Sequence, residues 1–429
     1  MQIKRTFVAL QVIYCRCFYD YLDKMVTRAL PVFVLFLTIS CAAQPHREPG
    51  HDAKKQSDIP DLRMGADQLD VLLPMLEGKR VGLLVNHTAL VGRTHLVDTL
   101  LQRGILIKKI FGPEHGFRGN AADGEVVKNG VDTKSGLPVI SLYGRNKKPT
   151  PDQVSDIDVL IFDIQDVGTR FYTYISSLHY LMESAAENGK KVVVLDRPNP
   201  HGGYTDGPIL RPEFKSFVGM HPIPVVHGLT VGELAQMVNG QGWLAGGLKC
   251  DLAVVTMKNW AHGDEYLLPV YPSPNLPNNQ SIRLYPSLCF FEGTAISVGR
   301  GTPFPFQALG SPQLKDFDFT FTPVTVPGVA VNPLHENQLC YGIDLREAKT
   351  TKRIDLSYLI NMYNAFPDKE NFFWNPFDRN YIDKLAGTDE LRKQIRSGMS
   401  EDQIRATWSE GLANYNRIRA KYLLYPTRE

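Results

Sequence analysis

From about residue 62 onward the chain alternates short apolar runs with stretches whose apolar residues recur every three or four positions. The runs are Arg80–Val85 (RVGLLV), Lys108–Phe111 (KKIF), Pro138–Leu142 (PVISL), Val159–Phe162 (VLIF), Lys191–Leu195 (KVVVL) and Leu252–Met257 (LAVVTM). Most are continuous in apolar residues, which predicts strands covered on both faces. Between them, THLVDTLLQRG and FYTYISSLHYLMESAAENGKK read as helices ended by Gly104 and Gly189. The second sets Ile175, Leu178, Leu181, Met182 and Ala185 at helical spacing. TVGELAQMVNGQG opens on Thr230 and carries Glu233 three residues later, the spacing of a capping box. Strand, helix, strand, repeated, predicts an α/β fold: a Rossmann-like, mostly parallel sheet over residues 62–286. No G-x-G-x-x-G follows any of these strands, so a dinucleotide is not expected.

After residue 286 the texture changes. FEGTAISVGRGTPFPFQALGSP and FDFTFTPVTVPG alternate like exposed strands punctuated by proline and glycine, and Asp389–Tyr422 is amphipathic and helical. A smaller α+β domain is expected over 287–429. At the other end, Met25–Cys41 (MVTRALPVFVLFLTISC) has a basic residue, an apolar core and then a cysteine. That is the layout of a bacterial lipoprotein signal, with Cys41 as the lipidated residue and Met25 as the expected start. Thr38 stands where leucine is usual. Residues 1–61 are therefore read as leader, signal and tether. The body of the protein is expected in the cell envelope, facing the periplasm, with membrane contact only through the lipid.

Composition adds limits. Of 429 residues 43% are hydrophobic and 21% charged, as in a globular protein with a large core. A net charge of +2 gives no reason to expect nucleic acid as a partner. Cys250, Cys289 and Cys340 are too few and too widely spaced for a disulfide framework or a zinc site, and read as small buried hydrophobes.

In an open parallel sheet ligands bind beyond the carboxyl ends of the strands. Five successive strand ends release Asn86-His87-Thr88, Gly112-Pro113-Glu114-His115-Gly116, Tyr143-Gly144-Arg145, the Asp163–Arg170 run with Asp166, and Asp196-Arg197-Pro198-Asn199. Asp163 and Asp196 serve equally well as helix caps, and His87 and His179 as structural histidines. Glu114 is different: a glutamate between glycines, beside His115 and ahead of Arg118, has little structural purpose on so irregular a backbone. No metal spacing of the H-E-x-x-H kind, no G-x-S-x-G and no phosphate loop occurs. What remains suits acid/base hydrolysis of a polar, hydroxyl-bearing, anionic substrate. Glycoside hydrolysis is the simplest such chemistry, needing two carboxylates and no cofactor or metal.

GLLVNHTAL, FGPEHGFRG, VISLYG, LIFDIQDVGTRFYTY, VLDRPNP, YPSPNLPN and FEGTAISVGRGTPFPF follow one another in an order that resembles the exo-β-N-acetylmuramidase (NamZ-like) family over about residues 65–429. The resemblance implies a Rossmann-like catalytic domain, a smaller carboxy-terminal domain, and a cleft that releases β-1,4-linked N-acetylmuramic acid from the non-reducing end of peptidoglycan-derived glycan, such as MurNAc-GlcNAc fragments. It implies Glu114 as the catalytic glutamate, held or tuned by His115. Asp163 or Asp166 is the expected second carboxylate, with Glu292 in reserve; either aspartate would instead orient the substrate's acetamido group if that group is the nucleophile. Arg118, Arg170, Arg197 and Arg300 are candidates for the muramic lactyl carboxylate, and Tyr143 and Tyr172 for stacking on the sugar. Asn86, Asn199 and Asn275 complete the expected substrate contacts. Two other readings stay open: a lipid-anchored muropeptide-binding or sensing module on a hydrolase scaffold, and a carbohydrate esterase or deacetylase.

Overall fold

The apolar runs pair edge to edge, because a strand with apolar side chains on both faces is stable only between two covering layers. The computed structural model describes residues 59–114, 116–117, 129–374 and 380–428. Strands β1 (Arg80–Val85), β2 (Leu106–Gly112), β3 (Gly130–Val131), β4 (Pro138–Ser141), β5 (Val159–Asp163), β6 (Lys191–Leu195) and β7 (Asp251–Val255) form one sheet in the order β3-β4-β2-β1-β5-β6-β7. Every neighbouring pair is parallel except the β3–β4 edge. All six expected strands are present, two with the expected boundaries and four shifted by one or two residues. The two-residue β3 is too short to leave a pattern in the sequence.

Successive residues of each strand enter opposite layers. Helices α1 (Leu69–Leu76) and α2 (Leu96–Gln102) share one core with Val81, Leu83, Val85, Ile110, Ile161, Val193 and Leu195. Helices α3 (Tyr174–Glu187), α4 (Val231–Gly240) and α5 (Asn279–Leu288) share the other with Leu84, Phe111, Leu160, Phe162, Val192 and Val194. Each buried leucine or phenylalanine contributes about 1.5–3 kcal/mol, so these two layers hold the sheet between them. The capping box at α4 forms as expected: Thr230 Oγ1 accepts from the Glu233 amide at 3.2 Å, and Glu233 Oε2 accepts from the Thr230 amide at 2.9 Å.

The smaller carboxy-terminal part contains an antiparallel sheet of β8 (Ala308–Ser311), β9 (Phe319–Phe321) and β10 (Cys340–Asp344) in the order β8-β10-β9. Helices α6 (Ser357–Ala365), α7 (Tyr381–Ala386), α8 (Glu390–Arg396), α9 (Glu401–Ala406) and α10 (Ser409–Arg419) accompany it. One expectation changes here. The stretch from Phe291 to Phe306 is not strand: Gly299 and Gly301 lie at φ +79° and Phe306 at φ +55°, and left-handed residues cannot continue a pleat. Asp389–Tyr422 is helical as expected but divided into three helices; Gly398 turns at φ +77° and the Ser400 hydroxyl accepts from the Gln403 amide to start the second. Cys250, Cys289 and Cys340 are buried free thiols.

Candidate active site

Strand order reverses at β1, whose neighbours are β2 on one side and β5 on the other, so the loops leaving these strands diverge and open a crevice. Asn86, just past β1, donates through Nδ2 to the Tyr174 hydroxyl at 3.0 Å, and that hydroxyl donates to the Pro272 carbonyl at 3.3 Å. These bonds tie the first turn of α3 and the proline-rich loop to the end of β1. Helix α3 starts at Tyr174 rather than at Phe171, which leaves Phe171–Thr173 as irregular backbone facing the crevice. The resulting cleft holds about 800 Å³ of empty space, part of it open to solvent.

Glu114 reaches the cleft from the turn after β2, where the Gly116 amide bonds the Pro113 carbonyl at 2.9 Å and Gly116 sits at φ +75°. The Thr173 hydroxyl donates to Glu114 Oε2 at 2.8 Å and fixes the carboxyl group. Glu292 lines the same cleft from the other half of the chain, at the end of a short 3₁₀ helix, Cys289–Gly293. Gly293 lets α7 press against it, since a Cβ there would come within 2.3 Å of the Ile382 amide nitrogen. Arg300 Nε donates to Glu292 Oε1 at 2.6 Å, and the Cys289 thiol lies 3.7 Å from Oε2. Among the described residues Arg300 is the one cation in the cleft lining.

Aromatic rings form the wall. Tyr172 meets Tyr174 edge to face at 5.0 Å, Tyr285 meets Phe171 at 5.3 Å, and Phe306 meets Tyr285 at 4.9 Å. Burial pushes the Tyr172, Tyr174 and Tyr285 hydroxyls well above the usual phenol range, so they remain protonated donors.

Of the residues expected at the site, Glu114, Tyr143, Tyr172, Asn275, Glu292 and Arg300 line this cleft together. His115, Arg118 and Cys41 lie outside the described residues. The others are elsewhere, for physical reasons. Asp163 and Arg197 are both buried and satisfy each other through two bonds, Nε to Oδ1 at 2.5 Å and Nη2 to Oδ2 at 2.9 Å; neither lines the cleft. Arg170 is wholly buried and donates to the carbonyls of Pro208, Ile223 and Leu385, lacing α7 to the α/β part. Burial lowers its guanidinium to about 9. Asn199 bridges the Leu229 carbonyl and the His201 amide beneath Gly168, where any Cβ would collide with it. Asn86 acts behind the wall, through Tyr174. Asp166 is buried too; its Oδ2 accepts from the Gly168 amide at 2.7 Å and lies 3.9 Å from His227. Burial pushes its carboxyl up to about 7, although the Gly168 and Val167 amides pull the other way. Asp196 is a cap as well as a hub: its oxygens accept from the Gly232 amide and from the Thr230 and Tyr425 hydroxyls.

Thr173, Tyr174, Tyr285, Phe306 and Tyr381 also build the cleft and were not singled out from the sequence. The blocks FYTY and GRGTPFPF contain three of them, but ordinary core aromatics look the same in one dimension.

A doubly wound α/β sheet whose crevice gathers two carboxyl groups and an arginine against aromatic rings has the parts of a glycoside hydrolase. Models described as exo-β-N-acetylmuramidase NamZ, N-terminal and C-terminal, match residues 81–280 and 283–425. The chain belongs to the exo-β-N-acetylmuramidase NamZ family. It is 39% identical to the peptidoglycan β-N-acetylmuramidase NamZ of Bacillus subtilis (strain 168), over 94% of this chain and 100% of that protein. Crystal structures of two DUF1343 family proteins from Bacteroides fragilis are similar over most of this chain. One is 45% identical, with a TM-score of 0.79, and covers 86% of this chain and 100% of its own. The other is 32% identical, with a TM-score of 0.74, and covers 85% and 99%.

Proposed function

We infer that this chain is an exo-acting β-N-acetylmuramidase that hydrolyses terminal, non-reducing N-acetylmuramic acid from peptidoglycan fragments. The observation that carries this is the meeting of Glu114 and Glu292 in one aromatic cleft, within a chain similar along its length to a protein of that activity. Glu114 is the general acid. It passes a proton to the glycosidic oxygen as the bond from that oxygen to C1 breaks, and the departing sugar leaves with a hydroxyl. Glu292 is the second carboxyl group, facing the positive charge that develops at C1 and the ring oxygen. A water molecule supplies the oxygen that ends on C1, and its proton returns to a carboxylate. Thr173 supports the assignment of Glu114 by holding one of its oxygens in a fixed direction. Arg300 is the cation for the lactyl carboxylate. Asn275, anchored by its Nδ2 to the Val329 carbonyl at 2.8 Å, has its carboxamide in the cleft wall for the acetamido group.

The test is hydrolysis of a β-linked chromogenic N-acetylmuraminide beside its N-acetylglucosamine counterpart, with Glu114→Gln in parallel. Release from the muraminide alone, lost in a folded Glu114→Gln protein, is expected. Binding without release would make the chain a muropeptide sensor instead. Activity surviving the substitution would move the acid elsewhere.

The layout of Met25–Cys41 supports a lipid anchor at Cys41 and a periplasm-facing place in the cell envelope. Cys41→Ser should abolish incorporation of labelled fatty acid and shift the protein to the soluble fraction. Unchanged membrane association would refute the anchor.

A further inference from the structure

Phe306 carries a backbone conformation that its side chain opposes. Its φ of +55° lies in the left-handed region, which glycine enters freely and a bulky residue seldom does. The nearby Gly299 and Gly301 are also left-handed, but they have no Cβ to strain. Such outliers persist only where their surroundings over-determine them, and they gather at functional sites. Phe306 lines the cleft and is 1% exposed. Its amide donates to the Val298 carbonyl at 2.7 Å, closing the loop that carries Arg300. Its ring meets Tyr285 edge to face at 4.9 Å. The Arg300 guanidinium sits 5.0 Å from the ring centroid, and that same guanidinium bonds Glu292.

We propose that Phe306 is a positioning residue: the left-handed turn aims its ring at Arg300, and the ring fixes the plane of the guanidinium and, through it, the carboxyl group of Glu292. This rests on the cleft being the muramidase site. An arginine has several rotatable bonds, and the bond from Nε to Glu292 does not by itself set the plane of the guanidinium. An aromatic ring against the guanidinium is attracted to the cation and limits how that plane turns. Ring and arginine together then set two properties of the site. The direction of Glu292 governs turnover, and the direction of Arg300 governs preference for a substrate bearing a carboxylate.

The experiment compares Phe306→Leu and Phe306→Met, which keep an apolar side chain but lose the ring, with Phe306→Tyr, which keeps it. Melting temperatures are followed by circular dichroism, and kcat and KM are measured on the muraminide and glucosaminide glycosides. The Arg300 Nε–H resonance, assigned with Arg300→Lys, is followed in ¹⁵N spectra. Loss of the ring should lower kcat for the muraminide about 10- to 100-fold, as misplacement of a reacting group by about 1 Å does. It should also reduce preference over the glucosaminide and broaden or shift the Nε–H resonance; Phe306→Tyr should recover most of each. A structural role alone would lower the melting temperature and leave kcat and preference intact. Folded ring-less proteins with wild-type kcat, preference and Nε–H resonance would overturn the proposal. Wild-type protein that cleaves neither glycoside would refute the muramidase reading, and the Nε–H resonance would still decide whether Phe306 orders Arg300.

Discussion

Asp163 and Glu114 leave strands that flank the same neighbour, β5 and β2 on either side of β1, yet they end in opposite circumstances. Asp163 is the last residue of its strand, in register with Val85, and stays inside the layers of the sheet. A carboxylate there has lost its water, and the structure answers with a two-point contact from Arg197. Glu114 lies two residues beyond the end of its strand, on a turn that carries it out of the layers to a half-buried place in the cleft. Its contact with Thr173 is a hydroxyl, which orients the carboxyl group. The same division runs through the molecule. Asp163, Asp166 and Asp196 are buried and engaged in holding loops, whereas Glu114 and Glu292 line the cleft. A carboxylate near a strand end thus reaches the cleft only when its turn holds it outside the sheet, and strand-end position alone does not bring it there.

The largest effect that tests this contrast is on activity. Glu114→Gln should reduce kcat on the muraminide by at least about 10³-fold, roughly 4 kcal/mol of barrier, with a melting temperature close to wild type. A strong loss of stability instead would place Glu114 with the structural carboxylates. Next comes stability. Arg197→Ala leaves Asp163 buried without a partner and should cost about 3–5 kcal/mol in urea unfolding. If the protein stays stable but loses substrate binding, Arg197 belongs to the site after all. A smaller, pH-dependent effect is expected at Asp166. Its folded value of about 7 stands above the unfolded value of about 3.9, so ionisation favours unfolding. The penalty is absent below about pH 4, grows as pH rises through 7, and is complete above it. Asp166→Asn, which keeps an acceptor for the Gly168 amide, should therefore stabilise by about 2–4 kcal/mol at pH 8 and by little at pH 4. Equal stability at both values would show that Asp166 keeps its charge without cost.

Much of this was legible in one dimension. The strands announce themselves because covering layers on both faces demand continuous apolar runs, and Thr230 with Glu233 announces a helix start because both partners lie within one turn. Glu114 was legible because its glycine-flanked turn had no structural use for it. Arg197 looked equally functional in the same reading. Nothing local shows that its guanidinium closes on Asp163, 34 residues earlier, or that Arg170 spends its donors on carbonyls as distant as Leu385. Tyr174 shows the same limit from the other side. It resembles any core aromatic until the end of β1 brings Asn86 to its hydroxyl.

Strands and helices in succession along the chain, a Rossmann-like mostly parallel sheet and Glu114 as a cleft candidate are readable in the sequence, because period, turn chemistry and capping act over a few residues. Only the tertiary structure decided which charges were spent on each other, that Glu292 and not Asp163 shares the cleft with Glu114, and that Phe306 takes a left-handed backbone beside Arg300. Ion pairing, burial and ring contacts depend on distance in space, and residues far apart along the chain acquire that distance only when the sheet closes.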